Sequence, residues 1–356
     1  MKKLLVTTAL AGLVITGSAN AQTTITGELR INYGASAADQ GTVNAKSQRG
    51  FGAEQQLNVQ TKGKLNIGGI DYAAGFAIEN DGEQSTTLFN ENTYMDFIIG
   101  NTTLSLSRDH IQRSDTDRSN GVLLGYSPND INSQSGFSSA GAPTRFQQSP
   151  GPQVGQNFSF ALLQKTDIGT FSAAYTPSAT EVSGIRTTAS TQSSANSSER
   201  QGEGNGTAES AYEIGFTGSL GVKGLDVYAF KGEEKLRAGY ATKADIVNYG
   251  AKYTMGDFTA GYTYKKYNDA STSTRTENKE NHYGLGYAVN KDVTVALLLA
   301  DAKGNADSVK EKAKSVQVGY NLGPVGMVAG YGISDNIAGV TTQDAKEVFV
   351  RFIGAF

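Results

Sequence analysis

The chain has 356 residues, a formal net charge of −3 at pH 7 and no cysteine. The mildly acidic balance argues against a nucleic-acid partner, because such partners normally require a basic patch. The lack of cysteine excludes disulfide bonds, a thiolate zinc site and a cysteine nucleophile.

The first residues have the features of an export signal. A positive start at Lys2 and Lys3 precedes an apolar stretch at residues 4–15, and the sequence Ala-Asn-Ala offers a small-x-small cleavage site ending at Ala21. A membrane-spanning helix is the alternative, but the stretch is shorter than the roughly 20 apolar residues that a span needs. We therefore expect residues 1–21 to be a signal peptide that is removed after export.

Alternation of apolar and polar residues dominates the rest of the chain. In the first segment Ile25, Leu29 and Ile31 fall on one face, and Glu28 and Arg30 fall on the other. A strand keeps such faces apart, whereas a helix would mix them. The same pattern recurs, in chain order, at Leu57, Val59 and Leu65; Tyr72, Ala74, Phe76 and Ile78; Met95, Phe97 and Ile99; Leu104 and Leu106; Phe158, Phe160 and Leu162; Phe171, Ala173 and Tyr175; Tyr212, Ile214 and Phe216; Val247, Tyr249, Ala251 and Tyr253; Ala260, Tyr262 and Tyr264; Tyr283, Leu285 and Tyr287; Val293, Val295, Leu297 and Leu299; Val316, Val318 and Tyr320; Met327, Ala329, Tyr331 and Ile333; and Val348, Val350 and Phe352.

One further segment, residues 225–231, is less regular, because Tyr228 and Phe230 compete with Val227 and Ala229 for the outer face. With this segment the chain has 16 candidate strands. Most of them reach the ~9–11 residues that a tilted membrane-spanning strand needs.

The connections between the candidate strands alternate in length. The short ones lie at residues 66–69, 100–102, 167–170, 219–224, 256–257, 290–292 and 321–324. The long polar ones lie at residues 34–53, 80–91, 108–155, 177–208, 232–245, 268–281, 301–314 and 335–345. Short turns on one side and long loops on the other are typical of an antiparallel transmembrane barrel, and an even number of strands allows closure without a free edge.

Proline supports this assignment, because it cannot donate a hydrogen bond within a sheet and avoids strand interiors. All six prolines fall in predicted connections: Pro128, Pro143, Pro150, Pro152, Pro177 and Pro324. We therefore predict an all-β transmembrane antiparallel barrel of about 16 strands, formed by one domain over residues 22–356.

Two segments of the chain resemble those of a known family. Residues 103–108, Thr-Leu-Ser-Leu-Ser-Arg, are similar to the strand that enters the third loop of the Gram-negative general porins. The terminal Phe356, with apolar residues at alternate positions before it, resembles their assembly signal, although Gly354 departs from it. The resemblance covers essentially the whole mature sequence. It implies the outer membrane as location, a homotrimer, and a long third loop, here residues 108–155, folded into the lumen.

The predicted function is passive diffusion of small hydrophilic solutes and ions through a water-filled channel. One alternative is a binding or adhesion barrel that acts through its long extracellular loops, and another is a substrate-selective channel. A soluble β-rich secreted protein is less consistent with the many outward Phe and Tyr residues, since large exposed apolar bands mark a partner or a membrane.

Candidate pore-lining residues follow from the polar strand faces and from the long loop. On the wall they are Glu28, Arg30, Lys62, Lys64 and Lys252. In the loop they are Arg108, Asp109, Arg113, Asp115, Asp117 and Arg118. Each of them either contacts the solute or pins the loop to the wall, and the pattern leaves both roles open. The porin pattern of an acidic loop facing a basic wall is broken by the loop arginines, so ion selectivity is not predicted.

Catalytic and cofactor motifs are weak in this sequence. His110 and His282 lie in no nucleophile motif, and no G-x-S-x-G occurs. Asp115 and Asp117 lack the spacing of a calcium loop. The glycine-rich residues 202–206 lack the flanking strand and helix of a nucleotide site. The sequence therefore predicts neither enzyme activity nor a cofactor or metal.

Overall fold

The computed structural model describes residues 21–39, 46–66, 68–81, 89–108, 146, 158–177, 208–236, 244–269 and 276–356. It confirms sixteen strands, with these bounds: β1 Gln22–Asp39, β2 Lys46–Lys64, β3 Asp71–Asp81, β4 Phe89–Ile99, β5 Thr102–Arg108, β6 Ser159–Thr166, β7 Gly169–Thr176, β8 Ala208–Gly218, β9 Leu225–Leu236, β10 Ala244–Met255, β11 Phe258–Asp269, β12 Thr276–Ala288, β13 Val293–Gly304, β14 Glu311–Asn321, β15 Val325–Asp335 and β16 Asp344–Ala355.

The sheet closes on itself. Each strand pairs antiparallel with its neighbours in sequence, and β1 pairs with β16 to complete the barrel. At the seam the backbone N–H of Gly27 donates to the carbonyl oxygen of Phe356 at 2.7 Å, and the N–H of Phe356 donates to the carbonyl of Gly27 at 3.0 Å. Closure therefore leaves no unpaired edge strand.

The two faces of the sheet carry the alternation that the sequence predicts. Large apolar side chains such as Ile25, Phe76, Leu285 and Val316 lie exposed on the outer face. The intervening residues point into the lumen and are mostly polar or small, as in β14, where buried and exposed residues alternate from Glu311 to Val318. Apolar side chains outside and polar ones inside are the arrangement of a barrel that meets lipid outside and water inside.

The connections differ between the two ends of the barrel, here called the turn end and the loop end. At the turn end two-residue turns join β4 to β5 and β10 to β11. Gly100 and Gly256 begin these turns with φ of 58° and 60°, a left-handed conformation that favours glycine. The loop end carries the longer connections, among them residues 109–158 between β5 and β6.

Several predicted long connections were too long. Residues 34–53 are not one loop, because β1 continues to Asp39 and β2 begins at Lys46. Residues 301–314 likewise contain the end of β13 and the start of β14. These strand ends lack large apolar residues on the outer face, where small or charged residues such as Ala35, Asp301 and Lys303 take their place, so the apolar alternation stops before the backbone ladder does.

The strand register shows which residues of the irregular segment 225–231 face outward and which face the lumen. Val227 and Ala229 of β9 pair with Ala251 and Tyr249 and share their outer face. Tyr228 and Phe230 therefore face the lumen. Phe230 is buried there, so the two aromatic side chains belong to the lumenal wall.

Within the described ranges, no helix is long and apolar enough to cross a membrane. A short 3-10 helix at Ile337–Gly339 lies in the connection between β15 and β16.

Candidate functional site: the lumen of the barrel

The five predicted wall residues all lie on lumenal positions of their strands. Arg30 of β1 is opposite Glu54 of β2, and its guanidinium lies between two carboxylates. It forms an ion pair with Glu28 and donates to Glu54, with N–O distances of 2.7 and 2.8 Å to the two oxygens of Glu54. These three side chains remain partly exposed, so they present charge to the lumen.

The three predicted lysines lie nearer the turn end. Lys252 of β10 forms an ion pair with Asp226 of β9 at 3.2 Å. Lys64 is 77% exposed and reaches Asp71 at 3.4 Å. Lys62 lies two residues earlier on the same face of β2 and is exposed. The wall therefore carries both isolated and paired charges.

The predicted loop residues are mostly outside the described part of the chain. Those outside it are Asp109, Arg113, Asp115, Asp117 and Arg118. Arg108 ends β5, where its backbone pairs with Thr93. Its predicted lumenal role stays a prediction.

Phe146 is one of two described residues between β5 and β6, and it lies inside the barrel. It is 1% exposed and packs against Ala300 and Ala302 of β13 and Ala313 of β14. Its ring meets the His282 ring of β12 edge-on, with 5.6 Å between centroids. Because β13 is eight strands from β5 in the sixteen-strand order, Phe146 contacts the wall opposite the strand that leads into its segment.

Sequence analysis missed a set of buried glutamates on the lumenal wall. They are Glu79, Glu213, Glu234, Glu280, Glu311 and Glu347. The strand period could have identified them, since Glu213 lies between the outward Tyr212 and Ile214.

Glu280 shows how the fold satisfies such a buried carboxylate. It accepts a hydrogen bond from Asn278 at 3.2 Å and lies 3.3 Å from His282 Nε2. Lys265 of β11 is directly opposite in the ladder. The fold therefore assembles a polar cluster from neighbouring strands.

Acids outnumber bases on the described lumenal positions. Among the side chains that the structure describes there, the acids are Glu28, Glu54, Asp71, Glu79, Asp96, Glu213, Asp226, Glu234, Glu280, Glu311 and Glu347, and the bases are Arg30, Lys62, Lys64, Lys165, Lys252, Lys265 and Arg351. These eleven described acids exceed the seven described bases by four charges. Such a lining lowers the cost of moving a hydrated ion through a low-dielectric layer. Among the described residues no His, Cys, Asp and Glu group is arranged to hold a metal.

Comparison with solved structures gives barrels of the same fold. An anion-selective porin from Comamonas acidovorans superimposes with a TM-score of 0.66 at 13% identity, covering 94% of this chain and 100% of the other. OmpT of Vibrio cholerae gives 0.59 at 13% identity over 95% and 99%. A mutant of Rh. blastica porin gives 0.57 at 13% identity over 93% and 100%.

The search among curated proteins finds no match. Comparison with protein families matches residues 6–350 to the Gram-negative porins. This match covers nearly the whole chain, and it agrees with the closed barrel and its charged lumen. The chain belongs to the Gram-negative porin family and forms an outer-membrane porin channel.

Proposed function

We propose that the channel passes small hydrophilic solutes and ions by passive diffusion, without catalysis. The observation that carries this proposal is the lumenal wall, on which charges of both signs, such as Arg30, Glu54, Lys62 and Lys252, remain exposed to the interior. Exposed charges keep water in the path and reduce the electrostatic barrier to an ion.

A bilayer experiment tests this function. Purified protein added to a planar lipid bilayer is expected to give stepwise increases in conductance, each step being one inserted assembly. Heat-denatured protein at the same concentration is the control. A correctly folded barrel that inserts but gives no conductance would reject diffusion and favour the plugged binding or adhesion barrel.

We further propose that residues 108–155 fold into the lumen and narrow it. Phe146 on the far wall supports this arrangement. The lumenal side chains of β5–β7 also support it, because Ser105, Ser107, Ser159 and Ala174 are short and buried. Short side chains leave room for chain packed against the wall. In this proposal Asp109, Arg113, Asp115, Asp117 and Arg118 act as a cluster that meets solutes or pins the loop.

The contact of Phe146 gives a direct test of the loop. Replacing Phe146 with Ala removes the side chain that fills the alanine-lined pocket, so the single-channel conductance should rise or become noisier. Phe158→Ala is a matched control, since Phe158 is exposed just before β6. Equal conductance of both variants and the wild type would place the constriction elsewhere.

A homotrimer is the proposed assembly, with contacts through the β1–β6 side of the barrel. Aromatic girdles mark lipid interfaces, and the outward tyrosines are concentrated on β7–β15. They are Tyr175, Tyr212, Tyr249, Tyr253, Tyr262, Tyr264, Tyr283, Tyr287, Tyr320 and Tyr331. The outer face of β2 also carries the exposed polar Gln55 between Leu57 and Ala53. A polar side chain within an apolar band is tolerated better against protein than against lipid.

We also propose that export removes residues 1–21, which leaves 22–356 as the barrel domain. N-terminal sequencing of protein purified from outer membranes should begin at Gln22. A sequence that starts at Met1 would contradict cleavage.

A further inference from the structure

The connection between β15 and β16, here called the mouth segment (residues 336–343), folds onto the lumenal side of the barrel at the loop end. Ile337 of this segment is fully buried and packs against Ala345 of β16. Ala345 pairs with Ser334 of β15, and both residues are buried at lumenal positions. Because its apolar side chain packs on the lumenal face, the segment lies within the cross-section of the loop-end mouth.

A carboxylate of the lumenal wall holds the mouth segment from a second strand. Glu311 of β14 is fully buried, and its Oε2 accepts the backbone N–H of Ala338 at 3.0 Å. Its Oε1 accepts a hydrogen bond from the Ser334 hydroxyl at 3.4 Å. A hydrogen bond to a charged acceptor is stronger than one between neutral groups. Glu311 therefore fixes the segment against the ends of β14 and β15.

The backbone of the mouth segment adopts a conformation that depends on such contacts. Asn336 and Ala338 have φ of 56° and 57°, in the left-handed region that is unfavourable for residues with a Cβ. Residues persist in this region where the surrounding structure imposes it. Within the segment the Ile337 N–H donates to the Gln343 carbonyl oxygen at 2.7 Å, and the Asn336 N–H donates to Asp344 Oδ1 at 2.9 Å. Together these contacts impose one shape on the segment.

The connection between β13 and β14 supports the mouth segment from the side. Asn336 Nδ2 donates to the carbonyl oxygen of Lys310 at 3.3 Å. The Asp307 side chain lies against Gly339, where an added Cβ would collide with it. The Asp307 carboxylate also accepts the Gly304 N–H at 2.6 Å. The two connections therefore pack together at the loop end of β13–β16.

We propose that the mouth segment is a fixed size filter at the loop-end entrance, and that Glu311 and Ile337 are the residues that position it. A large solute meets the segment before it reaches the deeper lumen, whereas a small solute passes beside it. This filter is separate from the narrowing proposed for residues 108–155, because it is formed by the connection between β15 and β16. The inference rests on the proposed diffusion function, since a filter limits only solutes that the channel can pass.

Swelling of proteoliposomes in uncharged sugars of two sizes tests the filter. Arabinose, a monosaccharide, reports passage itself, and raffinose, a trisaccharide, reports the size limit. The measured quantity is the raffinose rate divided by the arabinose rate, which does not depend on the charge of the wall. Glu311→Ala removes the acceptor for the Ala338 N–H, and Ile337→Ala removes the apolar contact with Ala345. Each variant should raise this ratio severalfold.

Each of these variants has a matched control. Glu311→Gln removes the charge but keeps an acceptor oxygen for the Ala338 N–H, so its ratio should stay near that of the wild type. Ile333→Ala makes the same substitution as Ile337→Ala on the outer face of β15, where Ile333 shares the facing of the exposed Tyr331. Its ratio should also stay at the wild-type value. Heat-dependent gel mobility verifies that every variant is folded.

The outcomes separate the filter from the diffusion function. A wild-type ratio in both Glu311→Ala and Ile337→Ala would overturn the filter, as would an equal rise in Ile333→Ala. A rise in Glu311→Gln as large as that in Glu311→Ala would overturn the positioning of the segment by this hydrogen bond. Wild-type liposomes that do not swell even in arabinose would instead reject the diffusion function itself, and the filter with it.

Discussion

Arg30 lies between two carboxylates on the lumenal face, and its pairing controls how much charge this part of the wall presents. Its guanidinium contacts both Glu28 and Glu54. The three side chains are partly exposed, so their pairing contributes little to stability, about 0–1 kcal/mol for such an ion pair. Their importance is in the electrostatic potential of the lumen, which responds to each charge along a narrow path.

Replacing Arg30 with Gln should increase the preference of the channel for cations. The substitution releases two carboxylates and makes the lumenal wall more negative by one charge. The measurement is the reversal potential under a KCl gradient, which should move toward that of K⁺. Arg30→Lys keeps the charge and should stay near the wild-type value. An Arg30→Gln channel with the wild-type reversal potential would place Arg30 outside the ion path.

Among the strands, packing of aromatic rings over glycines determines how closely the lumenal faces fit. The ring of Phe349 in β16 lies over Gly330 of β15, and the ring of Phe230 in β9 lies over Gly215 of β8. Tyr228 lies over Gly250 in the same way. Each glycine leaves room for the aromatic ring of the neighbouring strand. A side chain at the glycine position would therefore displace that ring.

Gly330→Ala should destabilise the barrel by about 1–3 kcal/mol, the usual cost of overfilling a packed site. The new Cβ would collide with the Phe349 ring and approach the carbonyl oxygen of Val316. Gly326→Ala in the same strand is the control, since its Cβ would meet only the Ile353 carbonyl, at 3.9 Å. Urea unfolding in lipid vesicles measures both. Equal stability of the two variants would show that the ring moves aside freely.

In the whole molecule, the two sides of the outer surface differ in the number of outward tyrosines. The β7–β15 side carries ten outward tyrosines, and Tyr33 and Tyr72 are the outward tyrosines on the described parts of β16 and β1–β6. Both sides expose apolar residues such as Phe76 and Leu285. This difference in tyrosine content supports the proposal that the β1–β6 side makes the contacts between copies.

The absence of tryptophan from the sequence permits a direct measurement of this difference. Single variants Phe76→Trp and Leu285→Trp place one fluorophore on each side of the barrel. In vesicles of brominated phosphatidylcholine, the Leu285→Trp fluorescence should be strongly quenched. The Phe76→Trp fluorescence should be quenched much less, because the neighbouring copy would keep brominated lipid away from this side. Equal quenching at both positions would contradict contacts between copies through the β1–β6 side.

The sequence by itself determined the number of strands, the facing of every strand except β9, and the placement of Glu28, Arg30, Lys62, Lys64 and Lys252 on polar strand faces. These features depend on a period of two residues, which is local and can be read along the chain. The same rule failed at strand ends such as residues 34–39, where most residues are small, as in Gly34, Ala35 and Ala37, and no alternation of large apolar and polar residues marks the strand.

Only the tertiary structure decided which charges meet and where Phe146 lies. Arg351 donates to Asn32 across 319 residues of sequence, at 2.8 Å, because closure brings β16 beside β1. The contact of Phe146 with the alanines of β13 and β14 likewise joins segments more than 150 residues apart. Such contacts depend on the register and closure of the whole barrel, and no local pattern of residue types encodes them.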